Sequence, residues 1–158
     1  MNSVPTIKHW GLGFDDSSTG SQRTFRAIFA AMVHPGQIVT IHENPDAPDV
    51  FNSASAATCL TLLDYETPVW TDVDWISPAI SWLQFDCESS VVTEPCMANF
   101  AIVTKPASMP DLDCFRVDRY EYHEKATTMI IQVDDILPRA DNKYSNIFFE
   151  KTAQLELK

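Results

Sequence analysis

Val69-Trp70-Thr71, then Ser77-Pro78-Ala79-Ile80-Ser81-Trp82-Leu83-Gln84-Phe85, then Phe100-Ala101-Ile102-Val103 read in turn as a brief extended piece, a helix and a strand. Ser77 offers an N-cap side chain, and Pro78 sits where a missing N–H costs nothing, in the first helical turn. Four successive apolar residues at 100–103 suit a strand covered on both faces. Thr127-Thr128-Met129-Ile130-Ile131-Gln132-Val133 repeats that pattern and is the strongest strand signal in the chain. Helices alternating with apolar strands predict an α/β fold with its layers in the order α/β/α, leaving strand order and direction open.

Working outward, two more helices are signalled. After Asp15-Asp16-Ser17-Ser18-Thr19-Gly20, the residues Phe25, Ile28, Phe29, Met32 and Val33 recur at helical spacing and form one apolar stripe. Thr19 and Gln22 have the spacing of a capping box, and His34-Pro35-Gly36 stops the helix. Gln37-Ile38-Val39-Thr40-Ile41 is short, β-branched and bounded by Gly36 and Asn44-Pro45-Asp46, so it is expected to be a strand. Asn52 or Ser53 then caps a helix whose small and apolar face comprises Ala56, Cys59, Leu60 and Leu63, ending at Asp64-Tyr65-Glu66-Thr67-Pro68.

The sequence has 158 residues, 45% apolar and 21% charged, which suits one globular domain spanning 1–158. A chain of this size buries about 68–70% of its unfolded surface, so no metal or disulfide staple is required. Eleven basic against 22 acidic residues leave a net charge of −11, which argues against nucleic acid and membrane surfaces as partners and favours a basic protein partner. No apolar run reaches membrane-spanning length, and Met1–Trp10 lacks the charged start and apolar run of a signal peptide, so a cytoplasmic location is expected. Cys59, Cys87, Cys96 and Cys114 are accordingly read as reduced thiols, two disulfides being the alternative.

Several chemistries lack their motifs. Gly11-Leu12-Gly13 is not followed by the third glycine of a dinucleotide fingerprint, and no phosphate-cradling GxxxxGK[ST] loop occurs. His9, His34, His42 and His123 form no zinc-binding pair with one another or with the cysteines, and no GxSxG elbow marks a nucleophilic serine. No catalytic residue, metal or cofactor is therefore expected. Asp64 and Glu66, two apart in a loop, could bind a metal, an amine or an arginine, the plainer alternative being that Asp64 caps backbone while Glu66 faces water. Arg26, at the border of the first apolar stripe, could read an anion or simply snorkel at the surface.

The run Gln22-Arg23-Thr24-Phe25-Arg26 followed by Ala31-Met32-Val33-His34-Pro35-Gly36 resembles the opening of the PhnH family of the bacterial carbon–phosphorus lyase system. Ala56-Ala57, with Leu60-Thr61-Leu62-Leu63-Asp64 and Glu66-Thr67, is similar to that family's LTLLD-x-ET segment. Trp82-Leu83 with Phe85, Ala98 with Phe100-Ala101, and Glu121-Tyr122 with Glu124 through Ile131-Gln132-Val133 match later landmarks in order. The departures are Asp86-Cys87, where the family tends to carry histidine and small polar residues, and His123 in place of a proline. The family also continues past a strand like Leu155-Glu156-Leu157 into a GPGI turn, so the resemblance implies that a C-terminal tail is missing after Lys158.

The resemblance implies a fold like that of the PLP-dependent transferases without the cofactor. It also implies an accessory role beside PhnG-, PhnI- and PhnJ-like subunits in making ribose 1-methylphosphonate 5-triphosphate, with a homodimer when isolated. The first expectation is therefore an interaction protein, with Trp75, set among Asp72, Asp74 and Ser77, as the exposed interface anchor and Trp82 in the core. The rival is a free-standing phosphonate or phosphate-ester binder or enzyme, with a polar site drawn from Gln22, Arg26, Asp64, Glu66, Thr67 and Glu124.

Overall fold

The structure, a computed structural model, describes residues 11, 13–14, 16–117 and 126–136. Among these are three α-helices, α1 (Ser17–Val33), α2 (Ser53–Leu62) and α3 (Pro78–Phe85), and three strands, β1 (Val69–Thr71), β2 (Phe100–Val103) and β3 (Thr128–Ile131). The strands form one parallel sheet in the order β1-β2-β3, with Val69 opposite Phe100 and Phe100 opposite Thr128. Parallel neighbours need a crossover, and α3 lies in the connection between β1 and β2. Val69, Ala101, Ile102 and Val103 are fully buried, as the continuous apolar runs predict for covered parallel strands.

Trp82 and Leu83 of α3, Ala56, Cys59 and Leu63 on and just after α2, and Val69 and Ile102 of the sheet pack into one core with Phe51. The rings of Phe51 and Trp82 meet with centroids 5.5 Å apart. Trp82 belongs to this core as expected, although its indole N–H finds no partner among the described residues. The mixed α/β class is therefore what the alternation of elements predicted.

Helix ends follow side-chain chemistry. Asn52 caps α2 by accepting from Ser55 N at 2.8 Å, and Ser77 caps α3 by accepting from Ala79 N at 3.2 Å. At α1 the expected Thr19–Gln22 capping box is replaced by an earlier cap: Asp16 Oδ1 accepts from Thr19 N at 3.4 Å, so the helix begins at Ser17 and Thr19 lies inside it. Hydrogen bonding with the Thr19 side chain, followed by that backbone hydrogen bond, lowers the Asp16 pKa below its ordinary 3.8. A depressed carboxyl pKa stabilises the fold above 3.8, and the contribution fades as pH falls through the lower folded value. At the other end of α1, His34 places its Nδ1 3.1 Å from Ala30 O.

The expected strand Gln37–Ile41 is not one. Its residues pair with no ladder among the described residues, and Ile38 is exposed. β-branched side chains favour extended backbone but do not supply the neighbouring strand that makes a sheet.

α1 packs against α2, yet none of its residues belongs to the core cluster. The face it buries is small: Gly20 and Thr24 are the buried positions, with Ala27 and Ala31 half-buried. Most of the apolar stripe faces the other way, with Phe25 52%, Phe29 58%, Met32 67% and Val33 52% exposed and Ile28 half-buried. A Cβ at Gly20 would stand 2.9 Å from Cβ and Cγ of Phe14, atoms too close to the backbone to move aside freely. Gly20→Ala should therefore lower stability by about 1–3 kcal/mol through overpacking, measured as a shift in the denaturant midpoint.

Candidate functional site

Three surface features and two cavities could carry function. On α1, Gln22 and Arg26 border the outward stripe, and both are exposed. Phe25 and Phe29, one turn apart, stack with centroids 6.2 Å apart, so the stripe forms a continuous ridge. Arg23 pairs with Glu43 at 2.8 Å, whereas Arg26 forms no ion pair with any described carboxylate.

The second feature is the turn between α2 and β1. Asp64 Oδ1 accepts from Glu66 N at 2.9 Å, while Asp64 N donates to Thr67 Oγ1 at 2.7 Å and Thr67 Oγ1 donates back to Asp64 O at 3.0 Å. Thr67 O in turn accepts from the buried Ser89 hydroxyl at 2.6 Å. These bonds shape the chain's entry into β1, and Glu66 is left exposed. No described hydrogen bond or ion pair joins Gln22 or Arg26 to Asp64, Glu66 or Thr67. Glu124 lies outside the described residues.

The third is the turn before α3, where Trp75 is 52% and Ile76 90% exposed. Asp74 fixes this turn by accepting from Ile76 N at 3.1 Å, and Asp74 O accepts from Ser77 N at 2.8 Å. An aromatic side chain held on a hydrogen-bonded turn loses little freedom on docking.

A cavity of about 520 Å³ opens at the carboxyl ends of β2 and β3, where ligands of parallel α/β sheets commonly sit. Asp49, Asn52, Thr104, Gln132 and Asp134 contribute its polar lining. Gln132 is already committed: its Oε1 accepts from Asn52 N at 2.7 Å and its Nε2 donates to Val50 O at 2.9 Å, tying the end of β3 to the start of α2. Asp49 and Asp134 are its acidic groups, and no cationic side chain among the described residues lines the space. A second cavity of about 490 Å³ around Gly13, Phe14, Asn44 and Asp46 also has no cation among the described residues, and Asp46 Oδ2 accepts from Gly11 N at 2.9 Å. Neither lining suits a phosphate or phosphonate, whose recognition needs cations or clustered N–H donors.

Sequence patterns did not reveal Asp72. Its carboxylate accepts from Thr104 N at 2.9 Å, Thr104 Oγ1 at 2.8 Å and Lys105 N at 2.8 Å, clamping the end of β1 to the end of β2. An aspartate just after a strand was the available signal. Its partners lie more than 30 positions away, out of reach of any local pattern. Asp72→Ala should cost about 2 kcal/mol in equilibrium unfolding, the usual range for hydrogen bonds to a charged group.

All four thiols are free. Cys59 is fully buried, which pushes its pKa up to about 12, and burial raises that of Cys87 as well. Cys96 and Cys114 are exposed. No group of three metal-ligating side chains occurs among the described residues, and none of the described helices is long and apolar enough to cross a membrane. A thiol reagent at pH 8 should label Cys96 and Cys114 in the native protein and all four cysteines in denaturant.

The structure is that of an α/β protein with aromatic side chains exposed on a helix ridge and a tight turn, and with no described cation in either cavity. Its sequence places it in a family: a model described as bacterial phosphonate metabolism protein (PhnH) matches residues 12–147, and the chain belongs to that family. It is 31% identical over 127 residues to the alpha-D-ribose 1-methylphosphonate 5-triphosphate synthase subunit PhnH of Rhizobium meliloti (strain 1021). That match covers 77% of this chain, and the chain spans about 61% of the length of the relative. The resemblance noted around Gln22–Gly36 and Leu60–Thr67 is thereby borne out.

Proposed function

We propose that this chain is an accessory, non-catalytic subunit of a phosphonate-processing assembly that makes ribose 1-methylphosphonate 5-triphosphate. The observation that carries the proposal is the outward ridge of Phe25, Phe29, Met32 and Val33, since isolated soluble domains rarely leave large apolar side chains contiguous and uncovered. Family membership and the relative's name as a synthase subunit indicate which assembly supplies the cover. On this proposal the partners are PhnG-, PhnI- and PhnJ-like subunits in the cytoplasm, and in their absence the chain self-associates as a homodimer. The chain is one domain whose parallel sheet follows a PLP-transferase-like plan without the cofactor. Transferase and lyase chemistry belong to the other subunits.

A tagged chain recovered from phosphate-starved cells should bring PhnG-like and PhnI-like proteins with it in stoichiometric amounts, identified by mass spectrometry. Recovery of the chain alone would contradict the subunit role. Trp75→Ala should weaken binding to those partners by about 2 kcal/mol in a titration if the exposed indole is a hot spot. An unchanged dissociation constant would remove Trp75 from the interface.

A further inference from the structure

We infer that the α1 ridge seats in an apolar groove of a different subunit, one that presents a carboxylate to Arg26. This rests on the assembly role proposed above and states what kind of surface the partner must offer. The ridge is convex and narrow, built from Phe25, Phe29, Met32 and Val33 with Gln22 and Arg26 along one edge. A helix of this kind is read by a groove that takes residues one turn apart.

Charge decides between a second copy and another chain. From Ser17 to Val33 the sequence carries two arginines and no acidic residue, although the whole chain has a net charge of −11. Arg23 is answered by Glu43 within the same chain, so Arg26 is the cation that the ridge brings to its partner. In a two-fold contact each α1 would face the other. Neither helix would then supply a carboxylate to the other, and each Arg26 would be desolvated against a helix that carries no counter-charge, which is costly. A partner groove with a carboxylate placed for the guanidinium removes that penalty and gives a charge-assisted, bidentate contact at the edge of an apolar core.

The test mixes the purified chain, and its Phe29→Asp, Arg26→Glu and Arg26→Lys variants, with the PhnG-, PhnI- and PhnJ-like subunits of the same organism. Calorimetry reads the dissociation constant, light scattering the mass of the chain alone, and thermal melting the fold. Phe29→Asp and Arg26→Glu should each raise the dissociation constant roughly tenfold or more, with Arg26→Lys raising it less. All three should melt as the wild type does and keep its mass in isolation. Wild-type affinity in both Phe29→Asp and Arg26→Glu overturns the inference and leaves the assembly role standing. A loss with Phe29→Asp alone overturns the carboxylate assignment. A wild-type dimer that Phe29→Asp dissociates identifies a second copy as the occupant and overturns it too. A wild-type chain that binds none of the subunits removes the assembly role and the inference together.

Discussion

The small side chains on the face that α1 buries set the orientation of everything on α1. Gly20, where even a methyl group would meet Phe14, and the buried Thr24 leave no room for a large side chain on that face. Helices approach closely where their facing residues are small, and the rotation of the helix about its own axis then follows. Once the small face is buried, the phenylalanines, Met32 and Val33 have nowhere to point but outward. The core itself, built on the sheet, α2 and α3, is complete without them. An exposed apolar face thus arises at little cost to the stability of the domain that carries it.

Much of this was legible in the sequence. The apolar strands Phe100–Val103 and Thr128–Ile131, the Ser77-Pro78 start of α3 and the Asn52 cap of α2 all rest on local chemistry, and local chemistry decided them. Strand order was not legible, because pairing is a contact between distant residues. The direction of the α1 stripe was not legible either: periodicity gives the angle between side chains, and two opposed faces, one small and one large, were both candidates for burial. The Gln37–Ile41 segment shows the converse limit, since its strand-like composition met no neighbour to pair with among the described residues. Asp72 and Gln132 show a third, as each joins elements through partners that no spacing rule connects.

Electrostatics separates the subunit role from that of a self-sufficient phosphonate site. Among the described residues, both cavities are lined with carboxylates and amides and without cations. Arg26 stands on the ridge, with no described bond to Asp64 or Glu66, and Asp64 spends its side chain on its own turn. Arginine at the edge of an exposed apolar stripe is better suited to answering a carboxylate across an interface than to enclosing an anionic ligand. The acidity of the chain as a whole favours long-range attraction to basic surfaces.

The central claim is that the large apolar face of α1 is open in the free chain and covered in the assembly. Hydroxyl-radical footprinting of Phe25, Phe29 and Met32 tests it most directly, with the buried Trp82 as internal reference. The account predicts rapid oxidation of the three ridge residues in the free chain and strong protection when the partner subunits are added, with Trp82 slow throughout. Slow oxidation of the ridge in the free chain, or equal oxidation with and without partners, would contradict it.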